Sequence, residues 1–324
     1  MANMVLFDYS NLAHRCIASS LKNSSYAGWM ARAFQEMYDF SLEVAASHEA
    51  DRTDVVIALD SRDGYWRRDL FPPYKMDRAK RRDKDVDWDE VFRQFDEFEA
   101  LLRENVPWEV LRVSKCEADD VIYALAAANA NEGGESFIYS SDSDYLMLCC
   151  ANTRVYNPMR GSYASFPYDC KVNGRDFRYE TPQEYLMYAI LTGQGGKDNV
   201  YNVRTPTDFS GPRKPGFGIA AAAKLLALTD PERRKRMLEE DLHENYTRNC
   251  LLINPTSLPA RYSDAILGSH ASFSAPEGDI RAFLERVGSR LDPEEVESCL
   301  AAMRGEQRSE FAAKGPYYAV DFHF

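Results

Sequence analysis

Long apolar runs are missing from this chain. No stretch of about 18 consecutive apolar residues occurs, which argues against a membrane-spanning helix. The opening MANMVLFDYS has no basic stretch ahead of an extended apolar one, so it reads as a β-strand rather than a secretory signal. Histidine is scarce: there are five, none with HxxxH spacing. The seven cysteines (Cys16, Cys116, Cys149, Cys150, Cys170, Cys250 and Cys299) are odd in number and include no CxxC pair. A disulfide framework or a zinc site is therefore not expected, and a reducing cytoplasm is. An excess of positive charge is missing too. The net charge of −12 speaks against a protein that coats nucleic acid by charge alone. It is compatible with a metal site, where many carboxylates are offset only once cations bind.

What is present is an alternating pattern. Short apolar runs at 4–7 (MVLF), 55–59 (VVIAL), 109–113 (EVLRV) and 136–140 (SFIYS) read as strands, with helical patterns such as 31–46 and 118–130 between them. Strands alternating with helices predict an α/β layer with a largely parallel sheet. At 324 residues the chain is long for one core. A catalytic domain over 1–200 and a helical lobe over 201–324 are expected. Residues 61–95 interrupt the alternation and are too long for an ordinary connection. From Arg62 to Lys84 this insertion holds nine basic and four acidic residues, a balance of +5, interleaved with Tyr65, Trp66, Phe71 and Tyr74. Cations beside aromatics able to stack on bases read as a nucleic-acid gateway. A solvated helix face is the plain alternative.

Each apolar run ends near acidic residues: Asp8, Asp60, then Glu117, Asp119 and Asp120, then Asp142 and Asp144, with Asp198 further on. Ligands of parallel sheets bind beyond the carboxyl ends of the strands. Hard cations such as Mg²⁺ take oxygen ligands, and two ions about 4 Å apart can cleave a phosphodiester. Each residue also has a local reading. Asp8 could cap a turn; Ser114 to Glu117 fits an S-x-x-E capping box; Asp119 and Asp120 could complement a helix dipole. The local readings must be invoked separately at every strand end, whereas a metal site explains all of them together.

The segments LFDYSNLAHR (6–15), ALDSRDGYWRRDLFPPYKMDR (58–78), KCEADDVIYAL (115–125), YSSDSDYLML (139–148), LTGQGGKDNV (191–200), KPGFGIAAAAKLL (214–226) and ENYTRNCLLIN (244–254) resemble, in order, those of the 5′-nuclease (flap endonuclease) superfamily with a PIN-like core, phage replication nucleases above all. The resemblance implies a mostly parallel sheet flanked by helices, a helical arch at 61–95 and a helix-hairpin-helix-like element in the C-terminal lobe. It implies two Mg²⁺ ions, with Mn²⁺ as substitute, held by Asp8, Asp60, Glu117, Asp119, Asp142, Asp144 and Asp198, with Asp120 beside them. Lys75 and Arg78 match the basic pair that faces the scissile phosphate. Arg67, Arg68, Tyr74 and Arg81 in the arch, with Gly216 and Gly218 in the hairpin, would contact nucleic acid, and K⁺ would sit at the hairpin. The implied substrates are DNA and RNA–DNA duplexes with 5′ ends, nicks or flaps. The implied setting is a monomer in the cytoplasm of an infected bacterium, working with a sliding clamp and a single-stranded-DNA-binding protein. The aromatic, acidic tail at 315–324 is a candidate clamp peptide.

The chain departs from the family at one telling place. Gly193 is followed by Gln194 where the family has an acidic residue, which predicts a weaker second metal site and flap cleavage more impaired than exonuclease action. The hairpin also lacks the usual Lys or polar residue between Gly218 and Ala222. Two other readings follow: a catalytically weak DNA-junction-binding module brought to a clamp, and a PIN-type single-stranded RNase.

Overall fold

The computed structural model describes residues 2–21, 28–48, 50–78, 80, 82–172, 174–194, 198–206, 216–228 and 242–305. Arg81, Lys214 and the tail at 315–324 lie outside the described residues. The chain opens with β1 (Ala2–Asp8), α1 (Tyr9–Leu21), α2 (Trp29–Ser47), β2 (Arg52–Leu59), the short α3 (Trp66–Leu70) and α4 (Trp88–Asn105). It continues through β3 (Glu109–Arg112), α5 (Ala118–Asn131), β4 (Glu135–Tyr139), a 3₁₀ turn at Ser143–Leu148, β5 (Thr153–Asn157) and β6 (Ser162–Tyr163). A separate hairpin of β7 (Tyr168–Val172) and β8 (Arg175–Tyr179) leads into α6 (Pro182–Thr192), α7 (Ile219–Leu226) and α8 (His243–Ile253). The last elements are α9 (Ala260–Ala271), α10 (Ile280–Val287) and α11 (Pro293–Met303).

The four apolar runs are the strands expected of them. The sheet order is β3-β2-β1-β4-β5-β6. All pairings are parallel except β5 with the short edge strand β6. In β1, Val5 lies opposite Val55 on one side and Phe137 on the other. The chain leaves β1 toward β2 and later returns to its other side as β4, so the strand order reverses at β1. A crevice at the carboxyl ends of the strands follows from that reversal.

Side-chain alternation divides the core. Val5, Phe7, Val55, Ile57, Phe137 and Tyr139 face α2, α4, α10 and α11, while Met4, Leu6, Val56, Ala58 and Ile138 face α5 and α9. Both faces of a parallel sheet are buried, which is why the strands read as unbroken apolar runs. The last three helices, α9, α10 and α11, belong to this core, whereas α7 and α8 pack with α6 in separate clusters. Phe283 of α10 is fully buried, 4.8 Å edge-on from Phe34 of α2, and such burial contributes about 1.5–3 kcal/mol. Residues beyond 200 thus cover the sheet as well as flanking it. Within the insertion, α4 already begins at Trp88, N-capped by Asp87, and Val91 and Phe95 are core residues. The preceding turn seats Phe71 and Tyr74 against Ile190 of α6 and Leu252 and Ile253 of α8. Among the described residues no helix is long and apolar enough to cross a membrane.

The α9–sheet contact is pH-sensitive. The His270 Nδ1 lies 2.5 Å from Glu109 Oε2, and that hydrogen bond raises the imidazole pKa although burial opposes it. A raised folded-state pKa gives stability that is complete below the unfolded value of about 6.5 and is lost as pH rises through the folded value. Thermal melts of His270→Gln should therefore show a loss at pH 6 that shrinks toward zero by pH 9. An equal loss at both values would contradict the ion pair.

Candidate active site

Four strand ends deliver the acidic residues to one edge of the sheet. Asp8 ends β1, Asp60 follows β2, and Asp142 follows β4. Glu117, Asp119 and Asp120 open α5, whose start is fixed locally. Glu117 is its N-cap, the Asp120 side chain accepts from the Glu117 N–H at 3.0 Å, and the reciprocal bond completes a capping box. The box thus begins at Glu117, while Ser114 hydrogen-bonds Asp63 instead.

Asp8 lies in the field of Asp60 and Asp142, and Asp119 in that of Asp8, Glu117 and Asp142. Burial first, then Asp60 and Asp142, push the Asp8 carboxyl up to about 6. Burial also drives Asp119 well above the carboxylate range, with Asp8, Glu117 and Asp142 adding and Lys75 opposing. Sequence reasoning missed Tyr145, which stands one residue after the second Asp of SDSD and is returned to the site by the 3₁₀ turn. Its hydroxyl lies 2.7 Å from Asp119 Oδ1 and 3.1 Å from Asp8 Oδ2. A hydroxyl donates one proton, so it cannot satisfy both carboxylates, and added positive charge would.

The remaining oxygens take protein donors. Asp8 accepts from the Asn11 N–H at 3.0 Å, and Asp60 accepts from Ser10 and from the Ala118 N–H, each at 3.1 Å. Asp142 caps the 3₁₀ turn by accepting from the Asp144 N–H. Gln194 donates its carboxamide to Asp144 Oδ1 at 3.0 Å, so the neutral residue noted in the sequence pairs with the carboxylate that an acid there would repel. Asp198 is buried and accepts from Arg78 at 2.9 Å. Among the described residues no three acidic, histidine or cysteine side chains already close on one point. The donor set is nonetheless all oxygen and crowded, which fits hard divalent ions.

The insertion meets the acidic edge differently from the sequence reading. Arg67 and Tyr74, expected to contact nucleic acid, are buried. Arg67 bridges Glu117 (2.8 Å) and Asp120 (2.9 Å) and donates to the Leu252 carbonyl; Tyr74 donates to Glu117 at 3.0 Å. Both are internal struts, because a desolvated guanidinium is stable only against carboxylates. Asp120 accepts from Trp66, Arg67 and its own capping box, and with its lone pairs so used it supports α5 instead of facing the other carboxylates. Lys75 is buried against Glu117. Although burial raises Glu117, Lys75 and Arg67 outweigh it and hold the carboxyl down to about 2. Lys75 adopts φ 54, a region that ordinary residues enter only when neighbours over-determine it. Arg68 is exposed, with Nε donating to the Tyr74 carbonyl. Gly216 and Gly218 border open space.

A parallel sheet with acids at its carboxyl edge and a cationic insertion beside them suits a nuclease-type hydrolase, the class to which the matching family belongs. The chain belongs to the family described as 5′-3′ exonuclease, N-terminal resolvase-like domain, whose model matches residues 3–173. It is 28% identical over 245 residues to the ribonuclease H of Enterobacteria phage T4, covering 73% of this chain and 76% of that one. It is 30% identical over 174 residues to the flap endonuclease Xni of Colwellia psychrerythraea, covering 54% and 52%. Among solved structures, the phage T5 D15 protein co-crystallized with metal ions shares the fold with a TM-score of 0.54 at 16% identity, over 92% of this chain and 99% of that one.

Proposed function

We propose that the chain is a divalent-metal-dependent 5′→3′ exonuclease with 5′-flap endonuclease activity on DNA and RNA–DNA, removing primers during phage lagging-strand replication. The observation that carries this reading is the carboxylate pair Asp8 and Asp119 joined through one Tyr145 hydroxyl, with Asp60 and Asp142 adding charge. Asp8, Asp60, Glu117, Asp119 and Asp142 would hold one ion, and Asp144 and Asp198 a second. When bound, Mg²⁺ or Mn²⁺ supplies an activated water and offsets charge on the leaving oxygen.

The chain's own residues do the rest. Lys75, now paired with Glu117, would turn its ammonium to the scissile phosphate, and Arg78 would exchange Asp198 for a phosphate oxygen in the same way. A guanidinium grips phosphate with two parallel N–H donors, and cations so placed stabilise developing negative charge. Exposed Arg68, Arg82 and Lys84 line the approach for the 5′ strand. The open backbone at Gly216 and Gly218, at the start of α7, suits a duplex phosphate. Gln194 leaves the second ion one carboxylate short, so we expect exonuclease products to exceed flap products.

The test is cleavage of a 5′-labelled flap and of a nicked RNA–DNA duplex, with Mg²⁺ and with EDTA. Short 5′ products that need Mg²⁺ are expected from both substrates. Binding without any cleavage at high enzyme concentration would overturn the reading in favour of a junction-binding module. A structured RNA cut far faster than either substrate would favour a PIN-type RNase.

A further inference from the structure

One cleft beside the acidic edge has no part in the chemistry proposed for Lys75 and Arg78. It measures about 240 Å³ and is lined by Asp142, Ser143, Asn157, Arg160, Tyr168 and Asp169 among others. It adjoins a broader, more open depression along the β7–β8 hairpin, and Arg160 lines both. Arg160 sits in the turn between β5 and β6, and this turn is fixed. Its N–H donates to the Asn157 carbonyl at 3.0 Å, and the Asn157 side chain accepts from the Met159 N–H at 2.9 Å. The guanidinium lies 4.8 Å over the Tyr168 ring. Among the described residues no carboxylate forms an ion pair with it. Residues 154–178 hold five basic and two acidic side chains, a balance of +3 in a chain of −12.

These features have one chemistry in common. A stacked, positioned guanidinium without a carboxylate partner is free to bind a phosphate bidentately. An aromatic ring beside it offers a face on which a base can stack. The cleft also reaches Asp142, a residue proposed for the metal centre. We propose that this cleft and hairpin form a track for the scissile strand. In it, Arg160 grips a phosphate on the 3′ side of the cut, Tyr168 packs against the adjoining nucleotide, and Lys171 adds positive charge, while Arg178 is paired with Asp169 and Glu180. The polarity follows from the 5′ end entering by the basic insertion, so the inference rests on the function proposed above.

Two measurements on the full chain test it. The first is fluorescence anisotropy of a 5′-flap DNA in EDTA across a salt series, for the wild type, Arg160→Ala and Arg160→Lys. Arg160→Ala should bind roughly five- to tenfold more weakly, with a salt slope reduced by about one phosphate contact. Arg160→Lys should recover the slope. KM for cleavage should rise more than kcat falls, and the melting temperature should not change, since the side chain is exposed. The second is photocrosslinking from 5-iodouracil placed one nucleotide to either side of the scissile phosphate. Crosslinks at Tyr168 are expected from the 3′ position. An unchanged affinity and slope in Arg160→Ala, or crosslinks only from the 5′ position, would overturn the track while wild-type cleavage left the nuclease reading standing. A wild type that neither binds nor cuts the flap would overturn both.

Discussion

Asp119→Asn should abolish cleavage and at the same time make the metal-free protein more heat-stable. Loss of one oxygen ligand and one charge from the centre should lower kcat by at least about 10²–10³-fold, the scale seen when a single group stabilising developing charge is removed. The stability gain has a separate origin. Asp119 shares the Tyr145 hydroxyl with Asp8 and lies in the field of Glu117 and Asp142. An ionised carboxylate there raises the energy of the folded state, because its folded pKa lies above the unfolded one. The neutral amide keeps an oxygen for Tyr145 and removes the repulsion. In EDTA the melting temperature should rise by a few degrees, on the order of 1 kcal/mol for a chain of this size. Added Mg²⁺ should then reverse the order, since an ion that binds only the folded wild type stabilises it by mass action. Differential scanning fluorimetry with and without Mg²⁺ reads both effects. A variant that melts lower in EDTA would show that Asp119 is a structural residue and not part of a charge-strained centre.

Arg67→Ala should produce the largest loss of stability. The guanidinium is buried between Glu117 and Asp120 and also donates to the Leu252 carbonyl. Truncation leaves two desolvated carboxylates facing each other across a hole. Breaking a buried pair in this way costs about 3–5 kcal/mol, equivalent to a fall in melting temperature of roughly 5–15 °C. Arg67→Lys should recover only part of it, since one ammonium cannot span both acids as a planar fork does. The experiment separates the two roles open to a basic residue in this segment. A nucleic-acid contact would lower affinity with an unchanged melting temperature, whereas an internal strut would lower the melting temperature first.

The positions of the acids were legible in the sequence because parallel strands are buried on both faces and their apolar runs end abruptly. Asp8, Asp60 and Asp142 sit at or just past those ends. That the sheet is largely parallel was legible from the helices placed between the runs; the strand order was not, nor were β5 and β6, which lie outside the four runs. What could not be read was direction within the insertion. Arg67, Arg68, Lys75 and Arg78 look alike as letters, but Arg67 and Lys75 are buried and Arg68 and Arg78 are exposed. The difference comes from Phe71 and Tyr74 anchoring the turn on α6 and α8, a contact between segments more than 100 residues apart. Asp120 was hidden for a similar reason: only the fold shows its lone pairs taken by Trp66, Arg67 and the Glu117 N–H. Tyr145 carried a local clue, its place directly after SDSD, but no spacing rule marks a hydroxyl as a bridge between acids contributed by β1 and α5. The late helices read as a lobe because their apolar faces give no hint of partner; Phe283 and Met303 find theirs in the first half of the chain.

The central claim is that these acids form a centre for divalent ions. The most direct test is a Mn²⁺ titration followed by the free-ion EPR signal, on the wild type and on Asp142→Asn. The account predicts two bound ions per wild-type chain, the second weaker because Gln194 stands beside Asp144, and at least one fewer in the variant. No Mn²⁺ uptake by the wild type, or identical uptake by both proteins, would contradict it.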